Sequence, residues 1–417
     1  MGREFRAKGA HVALAPAAGA RGRSVYGGRN WEGFSPDPYI SGVAMELSVR
    51  GIQDAGVQAV AKHLLANEQE ILCNPEYYPN GTLQFEAISL NVDDRTLHEL
   101  CLWPFANAVL TGVASMMRSY QRLDGSYACQ NSKLLNGTLK EKLGFQGYLM
   151  SDWFALHAGI DALEAGMDMD MPGPLRSSTP VPELGQMSSH FGGNITTMVQ
   201  NSTLDEARLN AMITRLIAPY FHLHQDVQNE FPTVDGCLFS LPQLFLEPEY
   251  LAPGLGLFNL TGPTSIRDAH NNHAALIRKQ AAESTVLLKN TNNALPLRPP
   301  RYIDIFGNDA GETQNGPVNH FGNAESWMYG TCGVGGGYAT GRLSYVTTPQ
   351  EALKARAIQD GTLVETWLNN KLIATSDVTS LWFYRGSDVC LGFLKSWARE
   401  TIDRESLHLV FRKYRVA

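Results

Sequence analysis

Hydrophobic positions in the first 220 residues follow two alternating rhythms. Short apolar runs bounded by Gly or polar residues predict buried strands at Val57 to Leu65, Val113 to Tyr120, within Gly144 to Trp153, and at 167–171. Between them, apolar residues recur at helical spacing. Ile40, Val43, Ala44 and Leu47 line one helix face, which Gly51 interrupts. Asp93 and Asp94 open a second helix bearing Leu97, Leu100, Cys101 and Phe105, with a kink expected at Pro104. Ser132 is the expected cap of a third helix, through Leu134, Leu135 and Leu139 to a stop at Gly144. A fourth is expected over 155–165. Thr203 and Glu206 read as a capping box for a fifth, whose face carries Leu209, Ile213 and Leu216 and whose end is set at Pro219.

Such alternation at short spacing is the pattern of a parallel sheet wrapped by helices. It stops near residue 224. Residues 225–265 hold Pro232, Pro242, Pro248, Pro253 and Pro263 among scattered apolar positions and read as an extended connector. Beyond it, a helical pattern from His273 to Ser284 is followed by strand patterns at Thr285 to Asn290, Tyr302 to Phe306 and Val389 to Lys395, which predict a second α/β unit.

Composition narrows the class without naming a chemistry. In 417 residues, 44% hydrophobic and 18% charged content supports a globular chain of two or three domains. The net charge of −7 leaves no electrostatic footprint for nucleic acid or an anionic membrane surface. No run is long and apolar enough to span a bilayer. The six cysteines are scattered without a CxxC pair, so neither a zinc site nor a redox motif is indicated. Acceptor triplets for N-glycosylation begin at Asn80, Asn136, Asn194, Asn201 and Asn259 and suit a secreted protein. Basic Arg3, Arg6 and Lys8 precede the apolar residues 11–20, but that run is short and broken by Pro16, unlike a signal peptide.

Candidate chemistry gathers at a few places. Asp152 closes a predicted strand beside Trp153, the position that faces ligand in parallel barrels; the plain alternative is a helix-capping carboxylate. The loop from Gly27 to Tyr39 combines Gly and Pro with Arg29, Trp31 and Tyr39, a composition suited to hydroxyl donors and sugar stacking, or to an ordinary surface loop. Lys62 and His63 end a strand with donors that suit sugar hydroxyls, or simply face solvent. Asp168 and Asp170 lack a third oxygen ligand at a convincing spacing, so no metal is expected. Gly330 to Gly341 is rich in Gly, yet the strand, immediate helix and downstream acid of a dinucleotide loop are not in place.

The strings Ser126-Tyr-Ala-Cys-Gln-Asn-Ser132, Gly144 to Trp153 and Glu164-Ala-Gly-Met-Asp-Met-Asp-Met-Pro172 resemble glycoside hydrolase family 3, in particular its fungal β-glucosidases. The resemblance implies a partial (β/α)8 TIM-type barrel over 1–224, the linker over 225–265, and a truncated α/β sandwich domain over 266–417. A whole barrel takes ~250 residues, so residue 1 is expected to lie inside a barrel, after its Asp-Gly-Pro segment. The early C-terminus is expected to omit later sandwich strands and a fibronectin-like domain. Lys62 to Glu70 lacks the longer signature of the family's N-acetylglucosaminidases, which points to a glucosidase type.

By the same resemblance Asp152 is the nucleophile and Glu400 the acid/base, although Thr401 stands where the family has Gly; Glu405 is a second candidate donor. Arg29, Lys62 and His63 are implied in glycone binding, Tyr120 in a hydrogen bond to the nucleophile, and Trp153 as an apolar wall for the sugar. The Gly-rich loop at 330–341 is implied as a cover for the site, with Tyr338 where a small Ser is usual. The expected activity is a retaining β-glucosidase acting on cello-oligosaccharides and aryl or alkyl β-glucosides, without cofactor or metal. The protein is expected to be secreted, to have no nucleic-acid or membrane partner, and to be compatible with a homodimer. Two alternatives stay open: a catalytically impaired fragment, suggested by Arg118, Tyr338 and the chain ends, or a β-xylosidase specificity.

Overall fold

The computed structural model describes residues 1–19, 23–173, 189–227, 231–232, 267–313, 330–337, 343, 345–375, 386–396 and 398–404. The chain divides into two compact units. The first comprises Met1–Arg23, Glu32–Glu68 and Leu72–Leu276; the second comprises Ser24–Trp31, Gln69–Ile71 and Ile277–Ala417. Most of the predicted connector, together with Tyr338 and Glu405, lies outside the described residues.

The first unit is built on four parallel strands, Val12–Ala13, Gln58–Leu64, Ser115–Arg118 and Tyr148–Met150, neighbours in chain order. A single parallel bridge, Met150 to Met169, continues the series, so the strand expected at 167–171 is reduced to one pair. Helices Pro38–Gln53, Trp103–Leu110, Lys133–Lys142 and Ile160–Ala165 fall between successive members. This is the βα repeat of a barrel wall, in which every crossover returns the chain to start the next strand at the same end.

Both faces of these strands are buried, which explains why they read as near-continuous apolar runs. Period-two alternation sends Ala59, Ala61, Met116 and Leu149 into the core beneath the helices, and Val60, Met117, Tyr148 and Met150 into a second cluster on the other face. Full burial of a Leu or Met side chain of this kind contributes ~1.5–3 kcal/mol.

Helix Pro38–Gln53 corrects the first expectation. Its buried residues are Ser41, Gly42, Met45, Val49 and Ile52, whereas Ile40, Val43 and Leu47 are exposed, and Gly51 does not interrupt it. Close approach of the helix Trp103–Leu110 decides the face: a Cβ on Gly42 would lie 2.6 Å from the Asn107 amide and 3.0 Å from the Trp103 ring. The Asp93 cap accepts the Thr96 amide at 3.0 Å, but the helix then widens over Leu97–Cys101 and restarts at Trp103, with Pro104 in a first turn where no amide is needed.

Two caps differ from expectation because a neighbouring side chain has better reach. Asn131, not Ser132, accepts the Leu134 amide. Asp205 accepts the Ala207 amide and caps Glu206–His222, so Thr203 and Glu206 form no box, and Pro219 lies inside that helix. The helix expected over 155–165 is confined to Ile160–Ala165, because the preceding residues form the turn after Asp152.

The second unit carries a parallel three-stranded sheet in the order Leu363–Trp367, Tyr302–Phe306, Val389–Gly392. Ile303 and Ile305 pack beneath Leu353 of helix Pro349–Asp360, whose Thr348 and Glu351 form a capping box. The strand expected at 285–290 does not form: Val286 and Leu288 are 75% and 92% exposed, with no ladder partner among the described residues.

Candidate active site

In the first unit, the parallel register brings three side chains to the carboxyl ends of adjacent strands. His63 lies on Gln58–Leu64, Tyr120 two residues beyond Ser115–Arg118, and Asp152 two residues beyond Tyr148–Met150. They converge on one carboxylate. The Tyr120 hydroxyl donates to Asp152 Oδ1 at 3.0 Å, the Trp153 amide donates to the same oxygen at 2.7 Å, and His63 Nε2 lies 3.2 Å from Oδ2. Asp152 is 6% exposed.

Further groups behind these set their orientation. Gln121 Nε2 donates to Asn67 Oδ1 at 3.2 Å, which turns the Asn67 amide toward His63, where it meets Nδ1 at 3.0 Å. With Nδ1 accepting, Nε2 carries the hydrogen that points at Asp152. The turn bearing Asp152 is stapled to its neighbour: the Ser151 and Phe154 amides donate to the Met169 and Met171 carbonyls, and Ser151 Oγ accepts the Met171 amide at 2.8 Å. The helix-cap alternative for Asp152 is set aside, since its side chain takes donors from other strands and helix Ile160–Ala165 begins well beyond it.

Arg118 is fully buried. Its guanidinium donates to the carbonyls of Leu64, next to His63, and of Ala128, so it ties two strand ends together. Burial lowers it to about 10. Asp168, once considered as a metal ligand, is a structural anion: it is paired with Lys140 and Arg208 at 3.3 and 3.0 Å and accepts the Leu149 amide. Among the described residues no group of three or more metal-ligating side chains occurs. Lys62 sits half-buried on the same strand end as His63, and the Trp153 side chain is half-buried.

A second constellation lies within the second unit. Arg29 Nη1 is 3.0 Å from Glu400 Oε1, and both side chains are buried. Segments far apart in the chain build this site. Asp403 accepts the Gly28, Glu70 and Ile71 amides at 2.9, 2.8 and 3.2 Å, and Glu70 accepts the Thr401 amide at 2.9 Å. Close approach here requires glycine: a Cβ on Gly28 would lie 2.1 Å from the Arg399 carbonyl oxygen, and one on Gly337 would lie 2.9 Å from Glu400 Oε2. Burial pushes the Glu70 carboxyl up to about 7, with Glu400 and Asp403 adding to it and Arg29 and the Thr401 amide opposing.

Sequence reasoning therefore missed Asn67, Gln121, Glu70 and Asp403. The signal available was composition alone, a polar run after the Lys62-His63 strand and an Asp-Arg pair after Glu400.

Two family models match the chain: the glycosyl hydrolase family 3 N-terminal domain over residues 1–218 and the family 3 C-terminal domain over 285–415. The chain belongs to glycosyl hydrolase family 3. Its fold is accordingly α/β, with a barrel-like N-terminal domain followed by a C-terminal α/β domain. Among curated relatives it is 55% identical over 412 residues to "Probable beta-glucosidase G" of Aspergillus terreus and 56% identical over 410 residues to that of Neosartorya fischeri, covering 98% of this chain in each case and 49% and 48% of those proteins. Among solved structures it resembles a family 3 β-glucosidase from Neurospora crassa, with a TM-score of 0.82 at 36% identity, covering 98% of this chain and 47% of that one. A Chaetomium thermophilum β-glucosidase gives a TM-score of 0.80 at 37% identity, covering 99% and 48%. The chain thus spans about half the length of the relatives it matches.

Proposed function

We propose that this chain carries the catalytic groups of a retaining β-glucosidase that removes terminal glucose from cello-oligosaccharides and other β-glucosides. The observation that carries the reading is Asp152, a buried carboxylate at a parallel-strand end that meets Tyr120, His63 and the Trp153 amide. Hydrogen bonds to the charged form keep a carboxylate ionised, the state required of a nucleophile.

In the proposed reaction Asp152 attacks the anomeric carbon as Glu400 protonates the departing oxygen, giving a glucosyl ester on Asp152. Water then attacks that ester, with Glu400 taking the water's proton and Asp152 leaving as carboxylate. Arg29 holds one oxygen of Glu400, Arg29 and Lys62 supply donors to glycone hydroxyls, and His63, whose Nε2 hydrogen is directed at Asp152, lines the glycone site beside it. Trp153 offers an apolar face to the ring. We assign residues 1–224 to the barrel part, 225–265 to the connector and 266–417 to the sandwich part. The glycosylation triplets favour secretion; Asn80 and Asn201 are exposed at turns, whereas the Asn136 amide donates to the Glu164 carbonyl at 2.9 Å.

The test is mechanism-based trapping. A 2-fluoro aryl β-glucoside should leave one equivalent of sugar on the peptide containing Asp152, and ordinary aryl β-glucosides should turn over with retention. Label on another residue would overturn the assignment. Faster turnover of aryl β-xylosides would replace glucosidase with xylosidase, and folded protein without turnover or label would support the impaired reading.

A further inference from the structure

Three carboxyl groups and one guanidinium share the buried cluster of the second unit, and two of the three are accounted for. Asp403 accepts three backbone amides, and Glu400 is paired with Arg29. Glu70 is 5% exposed, faces Arg29, Glu400, Asp403 and the Thr401 amide, and has no role in the proposed reaction.

Its hydrogen bond falls at an informative place. Thr401 follows Glu400 and has φ of 75°, the left-handed conformation that a β-branched residue adopts only when its surroundings hold it there. The Glu400 amide, on the other side, donates to the Gly336 carbonyl at 3.0 Å. The Glu400 backbone is thus held on both flanks, and on one flank the holder is an ionisable side chain.

We propose that Glu70 is the positioning residue of the proton donor: by accepting the Thr401 amide it fixes the backbone that aims Glu400, and its charge state ties that loop to pH. The inference rests on the reading of Glu400 as acid/base. Because burial raises the Glu70 carboxyl from 4.5 to about 7, the native state keeps a proton that the unfolded chain releases. Stability from this group is therefore complete below pH 4.5 and is lost as pH rises through 7.

Two substitutions separate charge from hydrogen bonding. Glu70→Gln retains an acceptor for the Thr401 amide and cannot ionise; Glu70→Ala removes both. Protonation of the leaving group matters for an alkyl β-glucoside and hardly at all for a dinitrophenyl one, so kcat/KM on the pair reads the position of the donor. Glu70→Ala should lose ~10–100-fold on the alkyl substrate and less than ~3-fold on the dinitrophenyl substrate. Glu70→Gln should keep most alkyl activity, and its Tm should exceed that of the unsubstituted protein above pH 7 but not at pH 4.

Equal losses of Glu70→Ala on both substrates, no loss on either, or a Glu70→Gln melting profile parallel to that of the parent would overturn the proposal. Should Glu70→Ala fail to fold, the Glu70→Gln melting profile decides. Glu400→Gln is the control: if it spares the alkyl substrate, the reading of Glu400 is wrong, and if it selectively impairs that reaction while Glu70→Ala shows no selective loss, the inference about Glu70 alone fails.

Discussion

Asp152 and Glu400 are both buried carboxylates, and the two units hold them by opposite means. Asp152 stands at the end of a parallel ladder, and Tyr120 and His63 reach it from the ends of the next two strands, so the register that builds the sheet also assembles the site. Glu400 stands on a loop, outside the strands and helices of the described residues and next to the isolated bridges of Arg399 with Gly336 and Ile402. Its surroundings are made by Ser24–Trp31, Gln69–Ile71 and residues 330–337, joined through the side chains of Asp403 and Glu70. One carboxylate is fixed by backbone pairing, the other by buried acids that act as ties. Damage to the first should fall on chemistry, and damage to the second on both chemistry and loop integrity.

The largest expected effect is on the strand-borne acid. Asp152→Asn is nearly isosteric and leaves the hydrogen-bonded turn, yet should lower kcat by ~10⁴ or more with little change in Tm, since a nucleophile acts as a unit with its partners. Glu400→Gln should cost ~10²–10⁴ on unactivated substrates. Azide sharpens the contrast through the stereochemistry of the product. With Asp152→Ala it should enter the emptied face and give an α-glucosyl azide, and with Glu400→Ala it should attack the glucosyl ester and give the β-anomer. The same anomer from both variants would break the division of roles.

Next comes Gly28→Ala, which tests the loop-borne site without replacing any of its acids, although the new Cβ would also lie 3.0 Å from Glu70 Cγ. A Cβ 2.1 Å from the Arg399 carbonyl oxygen cannot be accommodated without displacing the 399–402 loop. A stability cost of ~1–3 kcal/mol and a selective loss on poor leaving groups are expected, read by thermal melts and kcat/KM. Tyr120→Phe removes one hydrogen bond to a charged group and should cost ~1.5–3 kcal/mol of transition-state stabilisation, again with little effect on Tm. Thr401→Gly is the smallest and has the opposite sign: relief of the positive φ should stabilise the protein by up to ~1 kcal/mol in a urea titration.

How far these sites are legible in the sequence follows from the same contrast. The Asp152 strand could be read locally, because the apolar run, its Gly boundary and the following indole are contiguous. So could the alternation of strand and helix that predicts a parallel sheet. In sequence Arg118 is only a feature favouring the impaired alternative, since a lone cation in an apolar strand carries no local indication of the Leu64 and Ala128 carbonyls it meets. The apolar face of Pro38–Gln53 was misread because Ile40, Val43 and Leu47 are more hydrophobic than the Ser41 and Gly42 that the neighbouring helix requires.

By itself, the order of residues determined that this chain would lay down parallel strands between helices, that a carboxylate would close one of them, and to which family those strings belong. Tertiary structure alone decided which donors reach that carboxylate, which face of a helix is covered, and that Glu70 and Asp403 would tie the Glu400 loop to segments more than 300 positions away. The physical reason is range. Strand and helix periodicity arise from neighbours a few residues apart, whereas a buried polar group takes whatever partner the folded chain brings to it.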